Sequence, residues 1–387
     1  MLTDEILNEN HHLDIPQSTI ELEIAALVSD LEKKIGFKKD QPFDPDIHLI
    51  FSDEAFLKTE KHTLTELGIN KTHCPHITDL AGTQPFPLFS EEAIDIMKWE
   101  IFHDPEFLKE FGRVSVFGKD ISRLDFQISG FAHKTRFIRE AWRHPKTMEI
   151  MHKIAGIKLK IPHVFSEGLV NASLVHINDR DKKVDSKEEL IELKRQQDNS
   201  SSEIPSTLYW HYDSPPFVLV LMLSAPECMV GGETAIKTGN ESIFRIPNPK
   251  VGYATFLQGR VVKHIATKPL NSCDRISYVV SFIPEDINVP DTTVCTSEKP
   301  SAAPTYTNDK FYPNWVNYRF ERLEKRMQKF RESVMNNYEN NKKFDQMRTI
   351  EFCKDIEQYL KGTWKEFEIV NDDVFPPKLF SIPYANL

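Results

Sequence analysis

Trp210-His211-Tyr212-Asp213-Ser214, then Pro215-Pro216 and the apolar run Phe217-Val-Leu-Val-Leu-Met-Leu223, is the stretch on which the fold turns. The run is rich in β-formers and too short for a capped helix, and the two prolines block any helix upstream, so it reads as a strand. Residues two apart on a strand share a face, which puts His211 and Asp213 together and Tyr212 opposite them. Further on, Glu233-Thr-Ala-Ile-Lys237, Gly252-Tyr-Ala-Thr-Phe-Leu257, Arg260-Val-Val-Lys-His264 and Arg275-Ile-Ser-Tyr-Val-Val-Ser-Phe-Ile283 read as strands. Gly231-Gly232, Gly239-Asn240 and Gln258-Gly259 punctuate the series. Strand-turn-strand repetition of this kind suits a jelly roll, with His264 on a late strand facing the one that carries His211. Gly168-Leu-Val-Asn-Ala-Ser-Leu-Val175 reads as an earlier strand. Its Asn171 and Ser173 share a face, either as pocket lining or as polar groups that satisfy a strand end.

Two histidines and one carboxylate can hold a metal on one side and leave the other side open, a set suited to non-haem iron(II). His211, Asp213 and His264 supply it. A chain with 14 histidines contains about one His-x-Asp triplet by chance, and this chain has a second one, His12-Leu13-Asp14. That triplet sits in a polar N-terminal stretch where backbone order is least secure, and it reads as a decoy. Arg275 and Ser277 stand two apart on one strand. A guanidinium can grip a carboxylate through two parallel hydrogen bonds, and a neighbouring hydroxyl can add a third.

This region resembles the Fe(II)/2-oxoglutarate-dependent dioxygenase superfamily, whose recurring motif is a His-x-Asp pair, a distal His and an Arg-x-Ser on the next strand. Trp210-His-Tyr-Asp-Ser214, Pro216-Phe217, Met222-Leu-Ser224, Met229-Val-Gly-Gly-Glu-Thr-Ala235, Gln258-Gly-Arg260 and the Ser281-Phe282 to Pro284 stretch look like a fungal branch linked to secondary metabolism. The close match covers residues 205 to 290. The resemblance implies His211, Asp213 and His264 as iron ligands, Arg275 and Ser277 as the 2-oxoglutarate anchor, and O2 as the oxidant. It implies an α+β fold with a double-stranded β-helix (jelly-roll, cupin-like) core flanked by N- and C-terminal helices. Asp213 is present where related halogenases carry a small residue, so hydroxylation, desaturation or ring closure fits better than halogenation. The substrate implied is a small, amino-acid-like molecule. Trp210, Tyr212, Phe217, Asn171, Ser173 and Arg260 are the candidate contacts; Lys263 alternates away from His264. A catalytically silent 2-oxoglutarate or iron sensor and a protein hydroxylase are the competing readings.

Lys and Arg number 48 against 58 Asp and Glu, a net charge of −10, without a dense basic cluster beside exposed aromatics. Nucleic acid is therefore an unfavourable partner. No long apolar span calls for a membrane, and five unpaired-looking cysteines (Cys74, Cys228, Cys273, Cys295, Cys353) fit a reducing cytoplasmic setting. His73-Cys74-Pro75-His76 lacks the second ligand pair of a structural zinc site. His144 and His152 flank a helix beginning near Pro145 and read as surface or packing residues.

Length and a 40% hydrophobic content suit one elaborated domain. Residues 1–120 read as a mainly helical or irregular extension, 121–290 as the jelly-roll core and 291–387 as linker and helical tail. Ser18-Thr-Ile-Glu21 reads as a capping box for a helix with Ile20, Ile24, Leu27, Leu31 and Ile35 on one face, closed by Gly36. Further helices are predicted over 90–102 and 134–155. The charged, Ser-rich insertion 180–206 is either a lid or a surface insertion. In the tail, Val316, Phe320, Leu323, Met327, Phe330 and Val334 form an apolar stripe that packs on the barrel or the N-terminal helices, or forms a homodimer. Phe344, Met347, Ile350, Ile356 and Leu360 mark a second helix.

Overall fold

The computed structural model describes residues 12–115, 123–162, 167–179, 210–225, 229–247, 250–270, 273–300 and 308–367, with a few positions between 186 and 195. The insertion 180–206 and Cys228 thus fall largely or wholly outside the described residues. The strands are β1 His12–Asp14, β2 Lys61–Thr63, β3 Leu80–Thr83, β4 Phe86–Pro87, β5 Gly112–Ser115, β6 Arg123–Ser129, β7 Leu159–Lys160, β8 Leu169–Val175, β9 Phe217–Ser224, β10 Thr234–Lys237, β11 Ile243–Ile246, β12 Tyr253–Leu257, β13 His264–Ala266 and β14 Arg275–Pro284.

They pair antiparallel in two sheets. The larger follows the order β1-β5-β6-β8-β14-β9-β12-β3-β2, with β4 on β12 and β7 on β14; the smaller is β11-β10-β13. Strand alternation sorts the side chains of the large sheet. Ile276, Tyr278, Val280 and Phe282 of β14 and Phe217, Leu219, Leu221 and Leu223 of β9 enter the main core. There they meet helix α1 (Glu91–Phe102), through Ile94 and Met97, and helix α2 (Arg136–Arg143), whose Trp142 stacks on Tyr278 at 5.9 Å. On the opposite face, Val218 and Leu257 pack with Ile236 of β10 and Ile246 of β11. Helices thus cover one face and the small sheet the other. A strand buried on both sides has no reason to alternate, which explains the unbroken apolar run of β9.

One part of the inner face is polar instead. Register aligns Asp125, Ser173 and Arg275 across β6, β8 and β14, and beside them Gln127, Asn171 and Ser277.

Several elements depart from expectation. Helix 134–155 is two helices, α2 and α3 (Pro145–Ala155), because Pro145 starts a new one and the His144 ring accepts from the Lys146 N–H as its cap. The capping box does not form: helix begins at Gln17 after Pro16, with no side-chain cap, and Ser18 lies inside it. Ile20, Ile24 and Leu31 are buried as the period requires, whereas Ile35 lies beyond the helix end at Glu32 and is exposed. His12-Leu13-Asp14 is ordered as edge strand β1, paired to β5.

The chain divides into two compact units, the first ending at Asn314 and the second beginning at Trp315. Helix α4 (Asn308–Glu339) enters the second unit at Trp315, and from there it runs antiparallel to α5 (Gln346–Trp364): Trp315 Nε1 donates to the Thr363 carbonyl, and Phe330 stacks on Phe352 at 3.9 Å. The buried face of α4 is Trp315, Tyr318, Arg319, Arg322 and Leu323, while Phe320 and Met327 of the predicted stripe are exposed. A polar seam displaces the apolar one, because Arg319 lies 3.4 Å over the Tyr359 ring and donates to Thr363 and the Tyr359 carbonyl. No helix among the described residues is long and apolar enough to cross a membrane.

Candidate metal centre

His211 and His264 exchange backbone hydrogen bonds, at 3.1 and 3.0 Å, as an isolated bridge that docks the segment before β9 onto the start of β13. Asp213 is tied the same way: its N–H donates to the Gly259 carbonyl at 3.0 Å. The two first ligands therefore sit on a lead-in segment, not on a regular strand, and the expected strand over Arg260–His264 is a turn up to Lys263. Gln258 causes that turn: its carbonyl accepts from Val261 and Val262, while its buried carboxamide donates to the Thr78 and Leu80 carbonyls and accepts from Ile77. The amide side chain thus anchors the turn to the 77–80 segment.

The ligand atoms of His211, Asp213 and His264 lie within 4.8 Å of one another, forming the one group of three metal-competent side chains among the described residues. Asp213 Oδ1 is 3.6 Å from His211 Nε2, and Oδ2 is 3.3 Å from His264 Nε2. His264 Nδ1 is 2.9 Å from the Val262 carbonyl, which can only accept, so Nδ1 carries the proton and Nε2 presents a lone pair toward the carboxylate. Burial holds the His264 pKa below its ordinary value, against the pull of Asp213. Burial would raise the Asp213 pKa, but His264, His211 and Arg260 outweigh it and leave it low. A neutral imidazole beside an ionised carboxylate is the protonation state that a metal requires. Asp213 Oδ2 is buried without a hydrogen-bond partner among the described residues, an arrangement that costs free energy unless something else satisfies it.

Gly259 makes the arrangement possible. A Cβ at this position would lie 1.9 Å from Asp213 Oδ2 and 2.7 Å from its Cγ. The sequence marks Gln258-Gly259 only as a turn. The dependence of Asp213 on a missing side chain 46 positions later is a tertiary fact.

Arg275, 2% exposed, donates from Nε to the Gly232 carbonyl at 2.8 Å and from Nη1 to Ser277 Oγ at 3.1 Å. Nη2 has no hydrogen bond, and the guanidinium no ion pair, among the described residues. Burial pushes its pKa down to about 10, partly offset by Glu233. The Gly231-Gly232 pair, both at positive φ (82° and 72°), brings the Gly232 carbonyl under the arginine. Gly232 pairs with Lys268, four residues along the same chain from His264, or about 14 Å of extended backbone. One ladder therefore links the histidine to the guanidinium.

The other candidates divide. Asn171 and Ser173 lie on the inner face beside Arg275, but Asn171 accepts from Gln127 and Ser173 from Arg123, so both are held by protein. Phe217, taken as a substrate contact, points the other way: it is fully buried in the helix-side core against Phe256 at 5.5 Å. Its place after Asp213 suggested proximity, but strand parity at β9 sends it to the opposite face. Tyr212 is 38% exposed and packs its ring on His73 at 4.2 Å; Arg260 donates to His73 as well. Trp210 lies under Lys237 Nζ, 5.3 Å from the ring. Lys263 accepts the Lys237 N–H on its carbonyl. Arg123, Asp125 and Lys268 were missed. Lys268 pairs with Asp125 at 2.8 Å on the inner face: register across β6, β8 and β14 brings Arg123 and Asp125 there, and the segment after β13, held to Gly232, brings Lys268.

No protein-family model and no curated protein sequence matches the chain. Solved structures with partial likeness include an oxidoreductase of the 2OG-Fe(II) oxygenase family from Burkholderia pseudomallei, with 10% identity and a TM-score of 0.27 over 41% of this chain and 65% of that one. The non-heme alpha ketoglutarate dependent epimerase SnoN from nogalamycin biosynthesis gives 13%, 0.29, 43% and 64%. A Pseudomonas putida prolyl-4-hydroxylase gives 10%, 0.28, 68% and 100%. The chain spans just under two thirds of the first two structures. At these scores the likenesses carry no argument, and the chemistry rests on the residues themselves.

Proposed function

We propose that this chain is a non-haem iron(II), 2-oxoglutarate-dependent oxygenase of small molecules, its two sheets forming a double-stranded β-helix core. The observation that carries the reading is the buried Asp213 Oδ2, without a hydrogen-bond partner among the described residues, beside a histidine whose lone pair is fixed toward it. His211, Asp213 and His264 would hold the iron. With Fe(II) and 2-oxoglutarate bound, the site would use O2 to oxidise a C–H bond of the substrate and release succinate and CO2. Arg275, buried and without a counter-ion among the described residues, would take the far carboxylate of 2-oxoglutarate through its Nη2 edge, assisted by Ser277. The Gly232 carbonyl holds that guanidinium in place before ligand arrives, which lowers the ordering cost of binding. Hydroxylation, desaturation and ring closure all suit this donor set.

Anaerobic Fe(II) titration of the wild type and Asp213→Ala, followed by succinate release in air, tests the reading. The wild type binds one iron and forms succinate slowly without substrate; Asp213→Ala loses both. A variant with undiminished iron and turnover would sink the ligand assignment. A wild type that binds iron and 2-oxoglutarate but never forms succinate, with any extract-derived substrate, would instead be a sensor.

A further inference from the structure

His73, from a His-Cys-Pro-His sequence that does not join the metal group, reaches the rim of the proposed iron centre. Its Nε2 lies 2.8 Å from Arg260 Nη1, and its ring packs on Tyr212, between the two ligands of the His-x-Asp pair. Arg260 follows Gly259, whose carbonyl holds the Asp213 N–H, and its charge is felt at Asp213. The guanidinium is braced rather than neutralised: Nε donates to the Thr292 carbonyl at 2.9 Å, and the second partner is an imidazole. Among the described residues it forms no ion pair. The nearby carboxylate, Asp213, is committed to the metal in the proposed site.

Arginine can only donate, so His73 Nε2 must accept, and the ring proton lies on Nδ1. Burial and the adjacent Arg260 depress the His73 pKa, which keeps the ring neutral and compatible with that tautomer. The rim therefore offers N–H groups from a braced guanidinium and an imidazole, with the Tyr212 ring alongside. Among the described residues no carboxylate forms an ion pair with Arg260.

Resting on the oxygenase reading, we propose that Arg260, with His73, anchors a carboxylate of the substrate, so that the substrates are small organic acids oriented with the reacting carbon toward the metal. Arg275 cannot fill this role, since it is deeply buried and taken by the cosubstrate. A planar guanidinium fits a carboxylate bidentately, and a carboxamide offers only one such oxygen and no charge.

The test uses a panel of free α-amino acids, N-acetyl amino acids and their primary amides, each added to full-length protein with Fe(II) and saturating 2-oxoglutarate. Under argon the readout is the thermal midpoint; in air it is succinate released above the substrate-free rate. At least one acid raises both readouts where its amide does not, Arg260→Gln removes the distinction with a KM increase of about tenfold or more, and Arg260→Lys retains part of it. A panel in which no acid outperforms its amide, or an Arg260→Gln protein that keeps full selectivity, overturns the proposal. Loss of substrate-free succinate formation in the wild type is a different failure, that of the oxygenase reading, and the argon measurement still reports acid against amide.

Discussion

Replacing Gly259 with alanine puts a methyl group into the carboxylate of Asp213. The added Cβ would stand 1.9 Å from Oδ2, 2.7 Å from Cγ and 2.9 Å from Cβ, whereas ordinary contact starts near 3.4 Å. The oxygen must therefore retreat by about 1.5 Å, against a tolerance of about 0.2 Å in metal–ligand distances. Rotating the carboxylate cannot relieve the clash, because the Asp213 Cβ is also too close and the Asp213 N–H is fixed to the Gly259 carbonyl. The Gly259 φ is not in the left-handed region, so alanine brings no backbone strain of its own. We expect Fe(II) affinity to fall about 10- to 100-fold, as when a residue orienting a metal ligand is lost, or about 1.4 to 3 kcal/mol. The fold should lose about 1 to 3 kcal/mol from overpacking. Anaerobic calorimetric titration with Fe(II) or Mn(II), with circular dichroism melts as the fold control, separates the two. Metal affinity within about threefold of the wild type, in a folded variant, would refute the geometric argument.

Arg275→Met removes a buried charge whose pKa is pushed down to about 10 by burial; the ligand-free variant should melt no lower than the wild type, yet lose the rise that saturating 2-oxoglutarate gives, about 2.7 kcal/mol at 100-fold excess over Kd. A clear drop in the ligand-free midpoint would show that the Gly232 bond outweighs desolvation. His48 is fully buried, accepts the Asp44 N–H on Nδ1 and has its pKa lowered by burial below 6.5. The unfolded state then binds more protons below pH 6.5, so stability should fall on acidification from there, and His48→Gln should flatten that part of a pH series of denaturant melts. Phe217→Ala should cost about 3 to 5 kcal/mol in urea unfolding without altering acid-against-amide selectivity; altered selectivity would return Phe217 to the substrate side.

The strands were legible wherever burial imposed a pattern. β8, β9, β10, β12 and β14 could be read because β-rich runs bounded by Gly and Pro leave few alternatives, and His211, Asp213, His264, Arg275 and Ser277 could be singled out because metal and carboxylate chemistry need those groups. Legibility failed where a distant partner decides local structure. Gln258 turns the chain through bonds to residues 77–80, and Arg319 replaces an apolar seam through Tyr359 and Thr363. Neither leaves a periodic trace. Phe217 failed for a different reason: the parity of β9 with respect to Asp213 depends on three intervening residues outside the strand, where alternation does not count.

Sequence alone determined which side chains could make a metal and carboxylate site, since donor chemistry belongs to residue type, and that the apolar runs of β8, β9, β10, β12 and β14 would be strands, since runs bounded by breakers are local. Tertiary structure decided that His211, Asp213 and His264 meet, that Gly259 leaves Asp213 its room, that Arg275 is buried without a counter-ion among the described residues, and that His73 braces Arg260. Those are distances between residues up to 187 positions apart in the chain, set by the register of two sheets packed face to face, and no local pattern encodes them.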